Sequence, residues 1–150
     1  KTPIEFTPTD STGNPIAFQD FVKKFNLVLS PALAANLDKG FSLFIYNDSA
    51  VTRGGIAINS KDPVKLKNTL ALEEKTLLKN ISPAFLVSSS ILTGKAFTSS
   101  NYNGTAIRYI NITSPEDWSI DYAIYGNKLV VGTTKMTLRY IVDYLRPQAE

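Results

Sequence analysis

Asp117 and Asp121 are the two carboxylates whose spacing best suits shared acid/base work, because they flank one edge of a stretch that alternates like paired strands. A hydrolase of the glycosidase kind needs one carboxyl held protonated and a second ionised, both facing a cleft. The residue types are present; burial and direction are not readable from the chain. The structural alternative, a loop aspartate followed by a strand aspartate tied to a cation, is the better reading, and Arg108 is the cation at hand. If the loop from Thr113 to Asp117 sets Asn111 opposite Trp118, Arg108 opposes Asp121 and the two form a cross-strand ion pair worth roughly 0.2–1 kcal/mol. The same register gathers Ile107, Tyr109, Ile120, Tyr122, Ile124, Leu129 and Val131 on one core face.

Other routes to chemistry are narrow. The 150 residues include neither cysteine nor histidine. That removes disulfides, thiol nucleophiles, thiolate metal sites and the commonest general base and metal ligand. Ser89 stands where a phosphate loop ending in Gly94-Lys95 needs its first glycine, no lysine has a serine three positions before it, and no calcium loop is present. The remaining enzymatic option is a hydrolase using carboxylates or a Ser/Thr with Lys, and neither a metal nor a cofactor is expected. Gly54-Gly55 reads as a bulge or a close backbone approach in a strand rather than an anion cradle. Most of Tyr102, Tyr109, Trp118, Tyr122 and Tyr125 read as core packing rather than a base-stacking platform, since the Lys/Arg-Gly-aromatic signature of such platforms is missing. A net charge of +3 spread along the chain gives no basic stripe, so nucleic acid is not an expected partner.

The elements that must position these residues follow from periodicity and turn chemistry. Residues 1 to 16, with Pro3, Pro8, Gly13 and Pro15 and no sustained apolar period, read as a linker ahead of a single domain over 17–150. Phe18, Phe21, Val22, Phe25, Val28 and Leu29 recur at helical spacing. Ser30-Pro31 opens a second short helix that Gly40 would stop. Strand alternation begins at Phe41 and returns over about 51–58, and Asp62-Pro63 starts a helix over about 63–80. Asn103-Gly104 and Gly126-Asn127 mark two-residue hairpin turns, so strands at about 96–102, 105–112, 118–125 and 128–132 form a meander. Thr134 caps a closing helix. The order strand, strand, helix occurs twice, and two short matches (Phe41-Ser42-Leu43 with Trp118-Ser119-Ile120, Ser60-Lys61 with Thr134-Lys135) leave duplication and coincidence equally open. The fold class is α+β, an antiparallel sheet with packed helices.

Tyr102-Asn103-Gly104, Ile107-Arg108-Tyr109-Ile110-Asn111, Ser119-Ile120-Asp121-Tyr122-Ala123-Ile124 and Leu129-Val130-Val131-Gly132-Thr133-Thr134-Lys135 together resemble an uncharacterised family of bacterial membrane-anchored proteins with extracytoplasmic α+β domains. The resemblance covers mainly residues 95–145 and supplies no catalytic residues. It implies a domain held outside the membrane by an anchor preceding Lys1. The expected function is a non-catalytic extracytoplasmic binding or structural domain whose partner is a protein or cell-surface ligand, touching membrane only through that anchor. Phe97, Ile110 and Ile112 point away from the core face just described; either the helices of residues 17–40 cover them, the preferred reading, or they form an exposed interaction surface.

Overall fold

A computed structural model describes residues 2–48, 51–81, 94–112 and 118–147. Among these, the chain runs β1 (Ile4–Phe6), α1 (Phe18–Lys24), α2 (Pro31–Asn36), β2 (Leu37–Asp48), β3 (Val51–Ser60), α3 (Pro63–Ile81), β4 (Thr98–Tyr102), β5 (Thr105–Asn111), β6 (Ser119–Tyr125), β7 (Lys128–Gly132) and α4 (Lys135–Leu145). The strands form one seven-stranded sheet in the order β1-β2-β3-β7-β6-β5-β4, antiparallel at every pairing. The fold is α+β. Two meanders meet where β3 pairs with β7, and α3 lies in the long connection between them.

Local chemistry explains most boundaries. Asn103 at φ 49° and Gly104 at φ 82° make the β4–β5 turn, with both central residues in the left-handed region that a type I′ turn requires. Helix starts are capped by side chains: Ser30 Oγ accepts from Leu33 N, Asp62 Oδ1 from Lys65 N, and Thr134 Oγ1 from Thr137 N. Helix α1 ends earlier than its apolar periodicity predicts because Asn26 enters the left-handed region (φ 53°). Asn26 N then donates to Lys23 O and Leu27 N to Val22 O, the paired bonds of a Schellman stop. Gly40 does not end α2, which stops at Asn36; it lies inside β2. Buried Asn36 instead ties this corner together, accepting from Ser60 Oγ (2.7 Å) and Asp62 N (3.2 Å) and donating to Asp62 O (2.9 Å).

Residues 1 to 16 are more than a linker over their first part. Ile4–Phe6 pairs with β2, Ile4 opposite Ile45 and Phe6 opposite Leu43. Three residues give no periodic signal in sequence. What places them is the row of free backbone groups along β2, which a short strand satisfies.

Helices cover both faces of the sheet. Helices α1, α2 and α3 supply Phe18, Leu33, Leu66, Leu70, Leu77 and Leu78 to one core, against Phe41, Ile58, Ile120, Tyr122 and Leu129 of the sheet. Helix α4 supplies Leu138, Ile141 and Val142 to the other, against Phe44, Ala57, Ile107, Ala123 and Val130. The strand-strand-helix order therefore recurs as β2-β3-α3 and β6-β7-α4, with the two helices on opposite faces.

The expected core face and ion pair both need correction. Asn111 opposes Ser119, not Trp118, so Arg108 opposes Tyr122 and Tyr109 opposes Asp121. A slip of one residue moves a whole strand's side chains to the other face. Ile107 and Tyr109 accordingly face α4, whereas Ile120, Tyr122, Ile124, Leu129 and Val131 face α1–α3. Phe97, Ile110 and Ile112 join the latter group at 8%, 3% and 5% exposure, so they are buried core and not an interaction surface. Phe18, Leu33 and Leu37 of the segment 17–40 and Leu66, Leu70, Leu77 and Leu78 of α3 belong to the same buried cluster.

Candidate functional site

Two places hold residues that simple packing does not exhaust, and the sheet separates them. The first is an apolar cavity on the α1–α3 side. Its floor is one cross-strand row: Phe6 opposite Leu43, Leu43 opposite Ile56, Ile56 opposite Val131, and Val131 opposite Tyr122. Each residue points the same way because paired positions share a face. Phe18, Phe21, Leu27, Leu29, Leu33, Leu70 and Leu77 form the roof, and the volume is about 340 Å³. At its open end Phe6 and Ile45 are each 40% exposed.

Gly54 deepens this floor. It faces the cavity beside Ile45, and a Cβ built there would meet nothing nearer than Phe44 O at 3.8 Å. Its neighbour Gly55 faces α4, where a Cβ would lie 2.4 Å from Ile141 Cδ1 and 2.8 Å from Val131 O. The close backbone approach expected of Gly54-Gly55 is therefore made by the second glycine, and the first leaves space.

The inner end of the floor is closed by a polar cluster. Arg108 donates from Nε and Nη2 to the two carboxylate oxygens of Glu74, at 2.6 Å each, and also to Ser99 Oγ and Phe97 O. Tyr122 Oη donates to Glu74 Oε1 at 2.6 Å. Hydrogen bonding from Arg108 holds the Glu74 carboxyl below its ordinary range, and burial, seconded by Glu74, pushes the Tyr122 phenol up. Glu74 is the partner of Arg108 that sequence reasoning missed; it sits 34 residues away on α3, and periodicity marks it only as one solvated charge among several.

Glu74→Ala is expected to destabilise the protein by about 1–2 kcal/mol, because Arg108 and Tyr122 lose their acceptor while the guanidinium keeps partial contact with water. The lowered Glu74 value also fixes a sign. Its contribution is present above the ordinary glutamate range and is lost as pH falls through the folded value. Urea unfolding of both proteins at pH 7 and pH 3 should show the difference shrinking at the lower pH.

The second place is Asp121, on the α4 side and 0% exposed. Ser119 Oγ donates to its Oδ1, and its Oδ2 has no hydrogen-bond partner. Burial raises its pKa to about 6, against the pull of the Ser119 hydroxyl and of Lys135 and Arg139 on α4. Asp117, its proposed companion, lies outside the described residues. The ion pair expected between Arg108 and Asp121 does not form, since the two side chains lie on opposite faces. Asp121 does not reach the cavity either.

Of the five aromatics expected mostly to pack in the core, Tyr122 is buried, Tyr102, Tyr109 and Tyr125 are half-buried, and Trp118 is 37% exposed. Lys135 stands over the Tyr109 ring at 5.0 Å, Arg139 over Tyr102 at 4.8 Å, and Arg53 over Trp118 at 4.9 Å. Tyr102 Oη also donates to Asp143 Oδ2 at 2.6 Å. Among the described residues no group of three or more carboxylates gathers in a way that would hold a metal. No helix among them is long and apolar enough to cross a membrane.

No family model matches this chain, and comparison with curated proteins and with solved structures finds no similar one.

Proposed function

We propose that the chain is a non-catalytic binding domain of an extracytoplasmic, membrane-anchored bacterial protein, and that the cavity between the sheet and α1–α3 is its binding site. The observation that carries this reading is the character of the cavity walls. Ligand sites are concave, mostly apolar and usually preformed. Among the described residues the lining side chains are apolar except for Thr133 and the Tyr122 hydroxyl, and both polar groups already have partners. Thr133 Oγ1 donates to Gly54 O, and Tyr122 donates to Glu74. Among the described residues no polar groups converge in the cavity on a reacting atom. The carboxylate with the most displaced acidity, Asp121, lies across the sheet. The extracytoplasmic setting is supported by the resemblance of residues 95–145.

Titration with the neutral fluorophore N-phenyl-1-naphthylamine tests the reading. A saturable rise in emission with one site per chain is expected. Gly54→Val, which adds a β-branched side chain where the cavity floor is open, should weaken the probe at least tenfold and leave the protein folded. Emission that rises without saturating, or binding of equal strength in a folded Gly54→Val protein, overturns it.

A further inference from the structure

We infer that the cavity takes the single unbranched acyl chain of an anionic monoacyl amphiphile, with the headgroup left at the mouth beside α1. This rests on the binding reading above and adds the class of ligand.

Shape is the first argument. The floor from Phe6 to Tyr122 crosses β1, β2, β3, β7 and β6 in one row. Strands are spaced about 4.8 Å apart, so the row runs for roughly 19 Å. A volume of about 340 Å³ drawn out over such a floor is narrow. Scaling from the ~150 Å³ apolar cavity that admits the six carbons of benzene, it has room for a chain of about fourteen carbons. A rigid molecule of three or more fused rings, or a branched one, that filled the same volume would be too wide and too short.

Wall chemistry is the second argument. Among the described residues no free hydrogen-bonding group lines the interior, so a ligand with polar atoms along its length would lose their hydration without replacement. A hydrocarbon chain has no such cost. The Arg108–Glu74–Tyr122 cluster closes the inner end, so the polar head must remain at the opposite, open end, where Phe6 and Ile45 reach solvent.

Charge is the third. Lys23 and Lys24 stand exposed on α1 between the lining residues Phe21 and Leu27. Lys23 reaches Asp20 only at 3.9 Å, with both side chains largely in water. These two cations against one carboxylate favour an anionic head, through a contribution that salt should screen.

The experiment is displacement of N-phenyl-1-naphthylamine from the whole chain by the carboxylates with six to sixteen carbons, each below its micelle-forming concentration. Affinity should rise roughly tenfold for each two methylenes and level off at about fourteen carbons, as expected when each added methylene is buried until the cavity is full. Decanoate should bind more tightly than decanol, and Lys23→Gln/Lys24→Gln should reduce that advantage by a factor of three or more without changing decanol. An affinity that climbs with length and never levels shows adsorption on the surface and overturns the proposal, as does equal displacement by a bulky ring compound of similar volume. Probe binding that no alkyl carboxylate displaces overturns the ligand class and leaves the binding reading standing. Absence of probe binding removes both.

Discussion

Asp121→Asn is expected to gain roughly 2–3 kcal/mol of stability relative to its parent as the pH rises from 4 to 7.5. Asp121 has no solvent exposure and one unpaired carboxylate oxygen, and burial lifts its pKa from the ordinary 3.8 to about 6. A carboxyl whose folded pKa is raised binds its proton more tightly in the folded state. Its cost is therefore absent below the unfolded value, grows between pH 3.8 and 6, and stays constant above. The gap between those two values corresponds to roughly 3 kcal/mol. Asparagine keeps an acceptor for the Ser119 hydroxyl and never ionises, so it escapes that pH-dependent cost, while its amide donors at the unpartnered Oδ2 position add a cost that does not vary with pH. Lys135 and Arg139 already enter the balance by opposing the rise. Urea unfolding of both proteins at half-unit steps from pH 4 to 8 measures the difference. A difference that stays flat with pH would mean Asp121 titrates as an ordinary aspartate, and the burial argument fails.

Turn residues and caps were legible because they answer to local geometry. Asn103-Gly104 and Gly126-Asn127 set two hairpins, and the Asn103-Gly104 turn places Phe97 in register with Ile110, since Thr98 opposes Tyr109. Asp62 and Thr134 start their helices as their side chains require. The α+β class with an antiparallel sheet follows from these signals alone. Register across residues 113–117 was not legible, because a longer loop has no preferred geometry that fixes which residues meet. That single step decided which face every residue of β6 and β7 occupies relative to β5.

Burial on two sides concealed the rest. Ser119-Ile120-Asp121-Tyr122-Ala123 alternates in polarity like a half-exposed strand, yet all five residues are buried. Central strands under two helical layers need not read as continuous apolar runs when small or partnered polar residues face one of the layers. Asp121 escaped notice as a buried group for this reason, and Glu74 because its partner is distant in sequence. The cavity was invisible for a different reason. A void is made by elements that fail to touch, and only the pairing of Gly54 with Ile45 across β2 and β3 shows where the floor opens.

Gly132→Ala is expected to destabilise the protein by about 2–3 kcal/mol, more than Gly55→Ala, while the Gly54→Val substitution in the adjacent strand is tolerated. Gly55 and Gly132 oppose each other across β3 and β7, beneath α4. A Cβ on Gly132 would come 2.8 Å from Leu138 N and 3.1 Å from Leu138 Cα, so the backbone of α4 itself must move. Overpacking of this kind typically costs 1–3 kcal/mol. At Gly55 the nearest atom is the end of the Ile141 side chain, which can rotate, although Val131 O at 2.8 Å remains in the way. Gly54 meets nothing within 3.4 Å, and replacing a strand glycine there removes unfolded-state freedom. Thermal unfolding of the three variants should rank them Gly54→Val, Gly55→Ala, Gly132→Ala in decreasing stability. Lifting α4 lets water reach Asp121, so in Gly132→Ala the Asp121 pKa should fall from about 6 toward 3.8, followed by the pH dependence of its carboxyl carbon resonance. A Gly132→Ala protein as stable as its parent, with Asp121 unmoved, would show that α4 does not rest on the glycine pair.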